Sequence, residues 1–222
     1  MQPPLDPTAL DRVPLFPLPR VVFFPHTLLP LHVFEPRYRE LLSDAIDGSG
    51  LVAVPLLSAG WESSYTGSPA VHPVCGLGMI VRRQALPDGR SNVVLLGRAR
   101  VRIVEELAVA TPYRQARVAL LPAPLPAAGD PGWAGAWSRL RALLGQVIRA
   151  RPTLADDLRP LLDGQRPVDE VLHQLAHMVL TDAEDRQRFL EENDPVLRAA
   201  RVEDGVGTVL SQLMDESEAA EA

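Results

Sequence analysis

The chain contains no lysine, and all 22 of its basic residues are arginine. A Walker-type phosphate loop needs a lysine to meet the β- and γ-phosphates, and a serine-lysine peptidase needs an amine of tunable pKa to activate its serine. That absence excludes both chemistries. There is one cysteine, Cys75, so neither an intrachain disulfide framework nor a cysteine zinc cluster can form. Aromatic residues make up only 5%, and no basic run exceeds two residues, which leaves little for stacking on bases or neutralising phosphates. No apolar run approaches the about 20 residues of a membrane-spanning helix. The opening "MQPPLDPTAL" has no basic cluster followed by an apolar core, so it does not read as a secretory signal. The composition therefore points to a cytoplasmic protein without a membrane partner.

Proline is abundant instead, at 22 of 222 residues, in a chain that is 46% hydrophobic and 23% charged. Those values belong to a folded globular protein. Five of the prolines interrupt its most apolar stretch, "LFPLPRVVFFPHTLLPLHVFEPRYRELL". Pro17 and Pro19 fit an edge or bulge, where a missing amide donor costs little. Pro25 and Pro30 read as the two ends of a "PHTLLP" turn. Pro36 fits the first position of a helix whose apolar stripe is Tyr38, Leu41, Leu42, Ala45 and Ile46, with Gly48 as a left-handed cap.

Short β-branched and aliphatic runs follow at Leu51–Leu57, Val74–Val81, Val93–Val104 and Tyr113–Leu121, and Asp88-Gly89 marks a hairpin between two of them. Arg98, Arg100 and Arg102 alternate with Ala99, Val101 and Ile103, the period-2 signature of one solvated and one buried face. Several short antiparallel strands imply a closed or nearly closed barrel. The proline-rich "PAPLPAAGDP" ends this pattern, and helical periodicity takes over. Asp130 and Pro131 start a helix carrying Trp133, Trp137, Leu140, Leu144 and Val147. Thr153 with Asp156 and Thr181 with Glu184 resemble capping boxes, Pro167 opens a helix, and Asp194-Pro195 starts the last one, weakened by Gly205 and Gly207. The expected organisation is a barrel over 11–121, a linker over 122–131, a helical bundle over 132–214 and a disordered acidic tail over 215–222.

Candidate sites are sparse. His173 and His177 lie four apart, but Gln174 stands where a zinc peptidase of the H-E-x-x-H kind places its base, so two solvated or interface histidines are expected rather than a metal site. Cys75 within a strand pattern reads as a small buried hydrophobe. The arginine row reads as a solvated barrel face, or as a face docked onto the acidic helical half, in preference to a phosphate-binding one. The loop "SAGWESSYTGSPA" sets Trp61 and Tyr65 among turn residues, where aromatics serve either as contacts or as a lid.

"PLFPLPRVVFFPHTLLPLHVFEPRYRELL" resembles the start of the amino-terminal substrate-binding domain of Lon-type ATP-dependent proteases, a domain also found in cereblon-like proteins. "LGMIVRRQALPDGRSNVVLLGRARVRIVE" is similar to that family's later strands, and "AEDRQRFLEENDPVLR" to its helical part. The resemblance implies an α+β fold: a six-stranded antiparallel barrel related to the PUA fold with one packed helix, followed by an α-helical bundle. It implies a non-catalytic module that binds unfolded or partly unfolded polypeptide, without cofactor or metal, as an adaptor or regulator working with a protease. A groove between barrel and bundle is the expected binding surface, with Phe24, Trp61 and Tyr65 as peptide anchors. An RNA-binding module using the same barrel type is the alternative.

Overall fold

A computed structural model describes residues 5–64, 67–127 and 129–221. The chain divides into two compact units, residues 1–122 and 123–222.

The first unit is built on six antiparallel strands: β1 (Val13–Pro14), β2 (Leu28–Val33), β3 (Leu51–Val54), β4 (Val74–Ala85), β5 (Ser91–Glu106) and β6 (Gln115–Leu120). They pair in the order β1-β6-β5-β4-β3. The chain following β1 then runs beside β3, with the Phe16 amide donating to the Ala53 carbonyl (2.8 Å) and the Leu18 amide to the Pro55 carbonyl (3.0 Å). These bonds close the order into a barrel. Its interior is filled by Val13, Leu15, Leu51, Ala53, Cys75, Leu77, Val101 and Val118.

β5 is the spine. β4 occupies one of its edges along Ser91–Arg102, and β2 and β6 share the other, β2 at Ser91–Leu96 and β6 at Val101–Glu106. β2, the first part of β5 and the end of β4 therefore project as a three-stranded lip. One face of the lip packs on helix α1 (Pro36–Asp47) through Val33, Val93, Leu95, Tyr38, Leu41, Leu42 and Ala45. Phe23 reaches this second core only because three strand positions lack a side chain. A Cβ at Gly76 or Gly97 would lie 2.1 Å from the carbonyl oxygen of Phe23 or Phe24, and one at Gly78 would lie 2.4 Å from the Phe23 ring.

Several local expectations shift. Pro30 is inside β2, opposite Val94, rather than ending a turn. Ile46 is exposed, and the left-handed residue after α1 is Gly50 (φ 72) rather than Gly48 (φ −103). The arginines do not form a solvated row. At a bulge the register steps from Leu77↔Ala99 to Gly78↔Gly97, so Arg98 is the inserted residue and is half-buried, and Arg100 is 3% exposed, donating from Nη2 to the Pro122 carbonyl at 2.6 Å. An inserted residue breaks the period on which the alternation depended.

The second unit holds α2 (Pro131–Ala150), α3 (Ala155–Leu162), α4 (Val168–Val179), α5 (Ala183–Glu191) and α6 (Pro195–Glu221). Asp130 caps α2, accepting from the Gly132 and Trp133 amides. α2 buries Ala136, Leu140, Leu144 and Val147, with Trp133 and Trp137 stacked at 5.5 Å at its start. It runs parallel to α6, since Arg139 pairs with Glu203 and Arg151 with Glu216. Gly205 lets α6 approach α4: a Cβ there would lie 2.7 Å from Val179 Cγ2. The cap of α5 is Asp182, not Thr181, and α3 is entered through a 3₁₀ turn at Pro152–Leu154 without a side-chain cap from Thr153. α6 extends through the stretch expected to be disordered, as far as Glu221. Alanine and glutamate propagate a helix well once packed turns have nucleated it.

Candidate polypeptide-binding face

The free face of the lip is the continuation of the barrel's interior face beyond its mouth. Residues directly opposite in antiparallel strands point to the same side, so the register builds a grid of three rows. Leu28, Leu96 and Met79 form the first, Pro30, Val94 and Arg82 the second, and His32, Asn92 and Gln84 the third. Leu28 is 58% exposed, and Phe34, just past β2, is 60% exposed. The grid grades from apolar to polar along the strands. His32 Nδ1–H donates to Asn92 Oδ1 at 2.7 Å, and its ring lies 6.3 Å from that of Phe34. A groove of about 460 Å³ runs over Pro30, Leu31, His32, Arg82, Gln84, Asn92, Val93 and Val94. Its lining holds one arginine and no carboxylate. Such a face, rigidly held by β5 and α1, can take apolar side chains in its centre and anionic ones at its rim.

The anchors named from sequence lie elsewhere. Phe24 is 0% exposed, so it offers no surface to a ligand; its backbone carbonyl is pressed against Gly97 and accepts from Thr27 Oγ1 at 2.8 Å. Trp61 is half-buried at the start of a 3₁₀ turn, Trp61–Ser64, and Tyr65 lies outside the described residues. Gly67 and Ser68 of the same loop line a separate cleft of about 310 Å³ with Arg37, Tyr38, Glu106 and Arg114. Both arginines there are engaged, Arg37 with Glu35 at 2.9 Å and Arg114 with Glu106. Leu28, Val94 and Phe34 were missed because an apolar strand residue reads as core until the register says which face is covered. The available signal was Pro30, which makes β2 an edge strand.

The other sequence candidates are structural. Cys75 is buried in the barrel, and burial pushes its thiol up to about 12. His177 is exposed and takes the solvated role expected of the pair, whereas His173 is fully buried between helices and takes the interface one. Its Nδ1–H donates to the Asp169 carbonyl at 2.8 Å, and its Nε2 accepts from Arg198 Nη2 at 2.8 Å. Arg198, 1% exposed, also binds Asp169 Oδ1 and lies over the Phe189 ring at 4.6 Å. Burial, and then the Arg198 charge, drive the His173 pKa down to about 4, even though the Asp169 side chain favours protonation. Burial raises the Asp169 pKa, but His173 and Arg198 outweigh it and hold the carboxyl well below the usual range.

Residues 12–205 match the family model of the ATP-dependent protease La (LON) substrate-binding domain. Among curated relatives, the chain is 29% identical over 207 residues to a Lon protease of Roseiflexus castenholzii, covering 90% of this chain and 24% of the relative. It is 28% identical over 213 residues to Lon protease 2 of Sorangium cellulosum, covering 95% and 25%. The chain thus spans about a quarter of the length of these relatives. Among solved structures, the N-terminal domain of a Mycobacterium avium complex Lon protease superposes with TM-score 0.68 at 17% identity, covering 89% of this chain and 98% of that one. A Lon N-terminal domain protein of Xanthomonas campestris does so with TM-score 0.59 at 22% identity, covering 86% and 96%.

Proposed function

Because this chain belongs to the ATP-dependent protease La (LON) substrate-binding domain family, we propose that it is a non-catalytic module that holds exposed apolar segments of unfolded polypeptide. In this reading it acts as an adaptor or regulator that presents such segments to a protease. The observation that carries the site is the exposed apolar surface at the two ends of the lip, where Leu28 stands more than half exposed opposite Leu96 and Phe34, equally exposed, follows His32 just past β2. A large apolar side chain fixed on a sheet, as Leu28 is, or one residue from its end, as Phe34 is, supplies contact area with little ordering cost at binding. Trp61 is a subsidiary contact in the same proposal. The nucleic-acid alternative is weaker, since Arg100 is buried and Arg98 half-buried at a bulge.

The test is crosslinking of the full chain to a reduced, carboxymethylated model protein. The Leu28→Asp/Phe34→Ser double variant, whose sites are exposed, should keep its thermal unfolding midpoint and lose most of the crosslinked product. Equal capture by that variant, or wild-type capture no greater than that of an inert protein of matched charge, would refute the reading.

A further inference from the structure

β2 bonds to β5 through alternate residues only. The Gly97 amide donates to the Thr27 carbonyl at 2.9 Å, and the register from Leu28↔Leu96 to Val33↔Ser91 runs without a shift. Residues 29, 31 and 33 therefore exchange backbone bonds with β5, and the backbone groups of Leu28, Pro30 and His32 face away from it. Pro30, which has no amide to donate, falls on an outward position where that lack costs the sheet nothing. Among the described residues no strand pairs with this outer edge. Leu28 and His32 each present an N–H and a C=O there, and Pro30 presents a C=O.

The lip has a second open edge, the end of β4 beyond its pairing with β3, which stops at Met79. That edge is guarded: it carries Arg82 and Arg83 and a register shift at Ile80/Arg82. Charges and bulges discourage strand addition. β2, reading Leu-Leu-Pro-Leu-His-Val, carries neither; its one guard is Pro30, which withholds a single donor and leaves the other outward groups in place.

We propose that the occupant of this site is an extended polypeptide segment that adds to the outer edge of β2 as an antiparallel strand, with an acidic residue opposite His32 and, four positions later on the same face, an apolar residue opposite Leu28. This rests on the polypeptide-binding reading above and specifies how the ligand is held. The ligand exchanges both bonds with Leu28 and with His32, and donates a single one to the Pro30 carbonyl. Backbone bonds give affinity for any extended chain, and the flanking side chains select among sequences. On the grid face the neighbours are Leu28 at one end and His32 at the other, where the Arg90 guanidinium, itself paired with Asp88, lies 3.5 Å from the His32 Nε2. Arg82 lies across the groove and no carboxylate lines it. Anionic side chains are therefore matched and cationic ones disfavoured.

The experiment uses the full chain and a fluorescein-labelled peptide that carries one aspartate and, four residues later, one leucine in a serine-threonine background, read by anisotropy, with amide exchange followed by NMR. Saturating peptide should slow exchange of the Leu28 and His32 amides at least tenfold and leave those of Leu29 and Leu31 unchanged. Single N-methyl groups placed along the peptide should weaken binding at least tenfold at every second position, and replacing the aspartate by lysine should do so as well. Binding that N-methylation reduces without alternation, or nowhere, would overturn strand addition while leaving the polypeptide-binding reading intact. Full protection of Leu28 and His32 before peptide is added would place a second copy of the chain on the edge and also overturn it. If neither this peptide nor the carboxymethylated protein binds, both proposals fall.

Discussion

Lowering the pH from 7 to 5 should destabilise the helical unit, and His173 sets the size of the effect. In the folded bundle the ring is closed to solvent, and both nitrogens are committed, one to the Asp169 carbonyl and the other to Arg198. A proton on Nε2 would have to displace an arginine bond and stand beside a guanidinium. The folded-state pKa is accordingly about 4, against about 6.5 in an unfolded chain. Between those values the unfolded state binds the extra proton, so stability falls as pH falls. At pH 5 the loss relative to pH 7 is roughly 2 kcal/mol. Asp169 adds nothing in that window, because its depressed pKa keeps it ionised in the fold and it is largely ionised in the unfolded chain above about pH 4. His177, lowered by burial and by Arg186, acts in the same direction. Trp133 and Trp137 report on this unit, so Trp61→Phe makes tryptophan fluorescence specific to it. Urea titrations of that variant at both pH values should show the midpoint falling at pH 5. The added change His173→Gln, which keeps a hydrogen-bonding side chain but cannot titrate, should remove most of the difference. Equal midpoints at both pH values, or an undiminished difference in the glutamine variant, would refute the reasoning.

Arg198→Leu should cost about 3–5 kcal/mol, the usual penalty for breaking a buried pair from one side, and urea denaturation would measure it. Gly207→Ala should raise helix stability by up to about 1 kcal/mol, since a methyl there meets nothing within 4 Å. Gly205→Ala should lower stability because the methyl strikes Val179. A calorimetric comparison of the two glycine variants that shows the same sign would contradict the packing described. Phe24→Ala should lower stability by about 3–5 kcal/mol and leave polypeptide capture by the remaining folded protein unchanged, reversing the effects expected for Leu28→Asp.

The alternation between strand and helix signals, and the proline-helix starts at Pro36, Pro131 and Pro195, were legible because each depends on residues close in sequence. The family was legible from the opening stretch for the same reason. What sequence could not supply was the pairing. The bulge at Arg98 is one residue inserted against a partner some twenty positions away, and it converts an apparently solvated arginine row into one buried, one half-buried and one exposed side chain. Phe23 and Phe24 look like equal apolar candidates, yet three glycines far along the chain decide that both are interior. The site failed to appear for the converse reason: Leu28 and Leu29 are chemically identical neighbours, and only the β2–β5 register separates an exposed residue from one facing the core.

The shared edge of β5 also dictates an order of events at the ribosome. β2 is made early but cannot pair until Ser91–Leu96 follows, and β1 must wait for Gln115 and Ala116, about a hundred residues downstream. Such long-range pairings close slowly. A nascent chain therefore exposes Leu28, Leu29 and Leu31 without a partner through most of the synthesis of the first unit. The segment with which we propose the mature protein grips exposed apolar chains is itself, for that interval, an exposed apolar chain.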